Sequence, residues 1–121
     1  MNFDNTYVNI DLDAIWDNFQ AIREKAGVAL MAVVKADAYG HGIRPVVSAL
    51  LEAGCCSFAV ACLEEAVALR RLLRELLTGT ASDLETDILV LGYTDPQNAP
   101  ILAAYHISTA LLSAEYAFRL L

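Results

Sequence analysis

Lys35 closes an uncharged run, residues 29–34, and opens the glycine-rich segment Ala36, Asp37, Ala38, Tyr39, Gly40, His41, Gly42. An amine is nucleophilic only when unprotonated, and an apolar strand end disfavours the ammonium, so this placement suits Schiff-base chemistry. With no charge and no breaker, residues 29–34 read as a strand buried on both faces, the habit of parallel sheets. The side-chain period of two puts Met31, Val33 and Lys35 on one face and Leu30, Ala32 and Val34 on the other. Lys35 therefore leaves the sheet at its C-terminal edge, pointing the same way as core residues. In open α/β sheets and β/α barrels ligands bind at that edge, where loops vary while strands stay fixed.

The other chemistry-bearing side chains carry plainer expectations. His41, between two glycines, is a turn residue that shapes the loop, and His106, before a strand, makes a local hydrogen bond. Asp37 shares a face with Lys35 and is given no role. Glu64 and Glu65 open a helix, where acidic groups meet the positive end of the dipole. Arg70, Arg71 and Arg74 with Glu75 form a solvated helix face. Cys55 and Cys56 are adjacent, and with Cys62 they lack the CxxC or histidine spacing of a metal site. An odd count of three argues against a disulfide framework, so they read as small buried hydrophobes.

What must position Lys35 is a series of β/α units. An opening strand at 7–10 leads into helix Leu12–Ala26, whose Leu12, Ile15, Trp16, Phe19, Ile22 and Ala26 recur at amphipathic spacing behind Asp11 as N-cap. Strand 29–35, helix 43–53, strand 58–61 and helix 63–77 follow. Strand 88–91, helix 96–105, strand 107–111 and a helix from near Ser113 complete the series. The connection 75–87 is longer than a usual αβ loop and reads as a surface insertion of modest entropic cost. About four β/α units in series predict an α/β fold with parallel strands and right-handed crossovers. A closed β/α barrel takes roughly 250 residues. This chain has 121.

The run from Lys35 to Gly42 resembles the pyridoxal-phosphate lysine motif of the alanine racemases. The likeness continues through Ile10, Asp11, Leu12, Asp13, Ala14 and Ile15, through residues 58–61 with Glu64, Glu65 and Ala66, and through residues 88–93. It covers essentially the whole chain. The resemblance implies the N-terminal half of a (β/α)8 TIM-type barrel, preceded by an orphan strand. It implies that Lys35 forms the internal aldimine with pyridoxal 5'-phosphate (PLP), that Tyr39 hydrogen-bonds the cofactor phosphate, and that Val33 and Leu91 wall the cofactor. The implied activity is interconversion of L- and D-alanine, supplying D-alanine for peptidoglycan, by a homodimer.

In that family a second acid/base tyrosine comes from a C-terminal β-domain of the other subunit, and the opening strand joins that domain. The expected organisation is therefore an opening strand in 1–10 and a partial barrel in 11–121, together an N-terminal piece inactive by itself. A serine racemase of the same fold shares the lysine motif. A non-catalytic PLP-homeostasis barrel uses a barrel lysine without the Asp37-to-Gly42 continuation, and basic amino acid decarboxylases carry an AlaValLysAla core without the TyrGlyHisGly tail.

Composition agrees with a buried α/β interior: 57% of residues are hydrophobic, and the mean hydropathy of +0.46 is high for a domain of this size. Uncovered sheet edges and core then predict self-association. No apolar run approaches the roughly 18 residues of a membrane span, and no basic residue precedes Arg23 as in a signal peptide, so a cytoplasmic protein is expected. The net charge of −7 argues against nucleic acid as a partner.

Overall fold

The computed structural model describes residues 5–79 and 83–121. Helices begin where the sequence supplies caps. The Asp11 carboxylate accepts from the Ala14 amide at 3.0 Å and opens α1 (Leu12–Ala26), and Gly27, at φ 67°, closes it. Ser113 caps α5 (Ala114–Leu120) by accepting from the Tyr116 amide at 3.0 Å. Between them lie α2 (Ile43–Glu52), α3 (Leu63–Leu76) and α4 (Ala99–Ala104). The expected helix 96–105 starts as a 3-10 turn, Pro96–Asn98, because the Asp95 side chain accepts from the Gln97 amide and tightens the entry.

Four strands alternate with these helices in one parallel sheet of order β1-β2-β3-β4: β1 (Ala32–Val33), β2 (Ser57–Val60), β3 (Asp87–Val90) and β4 (Ser108–Thr109). This is the predicted α/β half-barrel architecture. The register aligns Ala32, Phe58 and Ile88 in one row and Val33, Ala59, Leu89 and Ser108 in the next. Phe58, Val60, Ile88 and Val90 face the helices and are buried against Val46, Val47 and Leu50 of α2 and Ala66, Leu69 and Leu73 of α3. Each such side chain contributes roughly 1.5–3 kcal/mol of burial. Helix α1 packs on α2 and buries Phe19, while Trp16 and Ile22 of its apolar stripe stay outside.

The structure corrects the strand picture in three places. Helices cover one sheet face; on the other Met31 and Val33 are exposed while Ala59, in the row of Val33, is buried, so the face of Lys35 is the more open one. The lysine strand is shorter than 29–35, with regular pairing at Ala32–Val33 and one further bond from the Val34 amide to Ala59 O at 2.9 Å, after which the chain turns. Residues 7–10 form no strand, and Tyr7 and Val8 are each 80% exposed, because no neighbouring edge among the described residues offers them a ladder. Of the connection 75–87, residues 80–82 lie outside the described residues, and Asp83–Glu85 form a 3-10 turn. No helix among the described residues is long and apolar enough to cross a membrane.

Candidate active site

The lysine turn is the most unusual backbone in the molecule. Ala36, Asp37, Ala38 and Tyr39 have φ of 51°, 56°, 55° and 58°, four consecutive non-glycine residues in the left-handed region. Each costs roughly 1–2 kcal/mol relative to right-handed backbone. Gly40 continues at φ 81° without that cost, and Gly42 at 93° releases the chain into α2. Local hydrogen bonds offset part of the strain. The Ala38 amide donates to Val34 O at 3.0 Å, the Gly40 amide to Ala36 O at 2.9 Å, and the Gly42 amide to Asp37 O at 3.0 Å. His41 packs its Nδ1 2.9 Å from Ala38 O, the turn-shaping role its position suggested.

This turn sits at the C-terminal edge of the sheet. Val34 is buried on the helical side, so the alternation sends Lys35 to the open face, where its Nζ lies 6.0 Å from the centre of the Tyr39 ring. Tyr39 is 59% exposed. Val33, 40% exposed, lies in β1, and Leu91, 43% exposed, directly follows β3. The alternation thus puts Val33, Lys35 and Leu91 on the open face, with Tyr39 in the turn that follows Lys35.

Two carboxylates hold the turn, and neither use follows from periodicity. Asp37 accepts from the Ile43 amide at 2.8 Å, so it caps α2 instead of facing Lys35. Glu65 Oε2 accepts from the Ala36 amide at 2.7 Å, and its Oε1 accepts from the Ala61 amide at 2.8 Å. The spacing from Cys62 to Glu65 matches a capping box, the one available signal, yet the carboxylate reaches one residue earlier, to Ala61, and across to Ala36 in the lysine turn. Glu64 keeps the expected helix-start role: its own backbone N–H, and then the Cys62 side chain, hold its carboxyl below the ordinary range.

The remaining expectations divide. Arg70 does not belong to a solvated face. It is 1% exposed, and its guanidinium donates to the carbonyls of Tyr105, Thr86 and His106 at 2.8 Å each, and to that of Asp83. Burial pulls its pKa below the usual value, with Asp83 acting the other way. Arg71 and Arg74 are at the surface of α3 against Tyr105, and Glu75 pairs with Arg44. His106 contributes its backbone, at φ 50°. Cys55 is buried, and that burial raises its thiol pKa, but Cys56 is exposed because adjacent side chains in extended backbone point opposite ways.

Residues 10–121 match the family model described as "Alanine racemase, N-terminal domain". The chain belongs to this family. It is 43% identical over 114 residues to an alanine racemase of Anoxybacillus flavithermus, an alignment covering 93% of this chain and 28% of that protein. The crystal structure of alanine racemase from Bacillus anthracis with bound L-Ala-P superposes with a TM-score of 0.78 at 35% identity, over 99% of this chain and 29% of that one. Alanine racemase from Bartonella henselae with covalently bound pyridoxal phosphate gives 0.68 at 29% identity, over 83% and 27%. Histidine racemase from Leuconostoc mesenteroides gives 0.74 at 31% identity, over 89% and 27%. The chain thus spans less than a third of the relatives it matches, and in this family member the described sheet is the N-terminal part of the barrel.

Proposed function

We propose that this chain carries the cofactor-lysine part of a PLP-dependent amino-acid racemase acting on alanine. The observation behind this reading is the left-handed turn that brings Lys35 and Tyr39 together at the C-terminal sheet edge beside Val33 and Leu91. These residues fit the group: the Lys35 amine can bond its aldehyde carbon, the Tyr39 hydroxyl can donate to its phosphate, and Val33 and Leu91 offer apolar contact to its ring. When bound, PLP supplies a sink for the electron pair left when the substrate Cα loses its proton. Lys35 Nζ would hold that proton on one face and return it in the reverse direction. A second acid on the opposite face must deliver a proton for inversion, and on the family likeness it comes from a C-terminal β-domain of a partner subunit. Residues 7–10 then belong beside that domain. On the same likeness the enzyme is a cytoplasmic homodimer supplying D-alanine for the cell wall.

The similarity to a histidine racemase, nearly as high as to the alanine racemases, favours a second reading in which the substrate is another amino acid. The turn and Lys35 serve either substrate equally, and selection falls to residues outside this sheet. The test is borohydride reduction after incubation with PLP, followed by peptide mapping. Selective mass addition at Lys35 over Lys25, abolished by Lys35→Ala, is expected. Equal labelling of both lysines would overturn the assignment.

A further inference from the structure

We propose that Glu65 is a positioning residue for Lys35: its carboxylate replaces the β1–β2 ladder where β1 breaks, and so fixes the left-handed turn that aims Lys35 and Tyr39 at the open face. The register pairs Val33 with Ala59, and the Val34 amide donates to Ala59 O. Continued one step, a parallel ladder would have the Ala61 amide donate to Val34 O. Val34 O instead accepts from the Ala38 amide, the first bond of the turn. Ladder and turn compete for one carbonyl, and the turn wins only if the Ala61 and Ala36 amides find other acceptors. Glu65 supplies both, one oxygen to each, at 2.8 and 2.7 Å. Charge-assisted bonds of this kind are about twice as strong as neutral ones.

A plain helix-start function does not account for this geometry. Glu64, its neighbour on the same turn of α3, serves that function, and Glu65 is aimed at the turn that follows β1. The claim that the turn serves a reactive lysine rests on the cofactor reading above; the claim that Glu65 holds the turn does not.

Backbone amide exchange and PLP trapping with borohydride, measured on the whole chain and on Glu65→Ala and Glu65→Gln, test the two claims separately. In Glu65→Ala the Ala36 and Ala61 amides should exchange on the order of ten- to a hundredfold faster, while the Cys55 amide, bonded to Leu50 O at 2.9 Å, keeps its rate. The Lys35-to-Lys25 labelling ratio should fall toward one. Glu65→Gln, with a single acceptor oxygen, should restore protection at one amide only. Unchanged exchange at Ala36, equal acceleration at Cys55, or an intact labelling ratio despite faster exchange would each overturn the proposal. Absence of Lys35 preference in the unsubstituted chain would overturn the cofactor reading instead, and the exchange rates would then decide the clamp alone.

Discussion

Helix α3 secures both ends of the sheet, and it does so with opposite charges. At the C-terminal edge the Glu65 carboxylate collects two backbone N–H groups. At the N-terminal edge the Arg70 guanidinium collects four backbone carbonyls, from the segments entering β3 and β4. The Arg70 end is buried and joins segments to one another, whereas the Glu65 end is half open and holds backbone in the strained turn that follows Lys35. In barrels the C-terminal edge carries chemistry and the opposite edge stability, and here Glu65 and Arg70 of one helix serve the two edges.

Arg70→Met should produce the largest effect. It keeps the apolar stem but withdraws the guanidinium from the Tyr105, Thr86 and His106 carbonyls and from that of Asp83, which keeps the Thr86 amide at 3.2 Å, with an expected loss of about 3–5 kcal/mol, a fall in Tm of about 10–20 °C. Below that transition, Lys35 trapping should keep its selectivity, since the N-terminal edge does not touch the turn. Loss of selectivity in a folded Arg70→Met chain would dissolve the distinction between the two ends.

Gly92→Ala probes where the two roles meet. A Cβ at Gly92 would stand 2.6 Å from Ala61 O, the acceptor of the Gly92 amide itself at 3.1 Å. Backbone must move, at a cost of about 1–3 kcal/mol. Ala61 is the residue whose amide Glu65 holds, so this substitution should lower both the denaturation midpoint and the Lys35 labelling ratio. A change in stability with an unaltered ratio would show that displacement of β2 does not reach the turn.

The legible parts of this molecule were those set by hydrophobic period. Helix Leu12–Ala26 with its Asp11 cap, the order of the remaining helices and the four parallel strands all follow from apolar spacing and caps. Lys35 and Tyr39 are legible through the motif, and Val33 and Leu91 only through the wider family resemblance. The left-handed turn was not legible, because Ala36, Asp37, Ala38 and Tyr39 have no glycine among them, and their strain is tolerated through bonds from residues far along the chain. Arg70 and Glu65 escaped for the same reason. A helix face with several charges reads as solvated unless one knows that loose carbonyls or amides of other segments arrive there. The shortness of β1 follows from the same competition, since the turn takes the carbonyl that a longer strand would use.

The smallest expected effect separates Glu64 from Glu65. Glu64 is fully exposed, and its carboxyl is held below the ordinary 4.5 first by its own backbone N–H and then by the Cys62 side chain. A lowered folded pKa means the unfolded chain binds the proton more readily, so the stabilisation is complete above the unfolded value and disappears as pH falls through the folded one. Glu64→Gln should therefore lose slightly less stability than the unsubstituted chain between about pH 5 and pH 3, with no change in Lys35 labelling at neutral pH. Denaturant midpoints at both pH values for the two chains provide the check. Parallel acid profiles would remove Glu64 from the helix start, and a labelling change would mean that both carboxylates, not Glu65 alone, act on the turn.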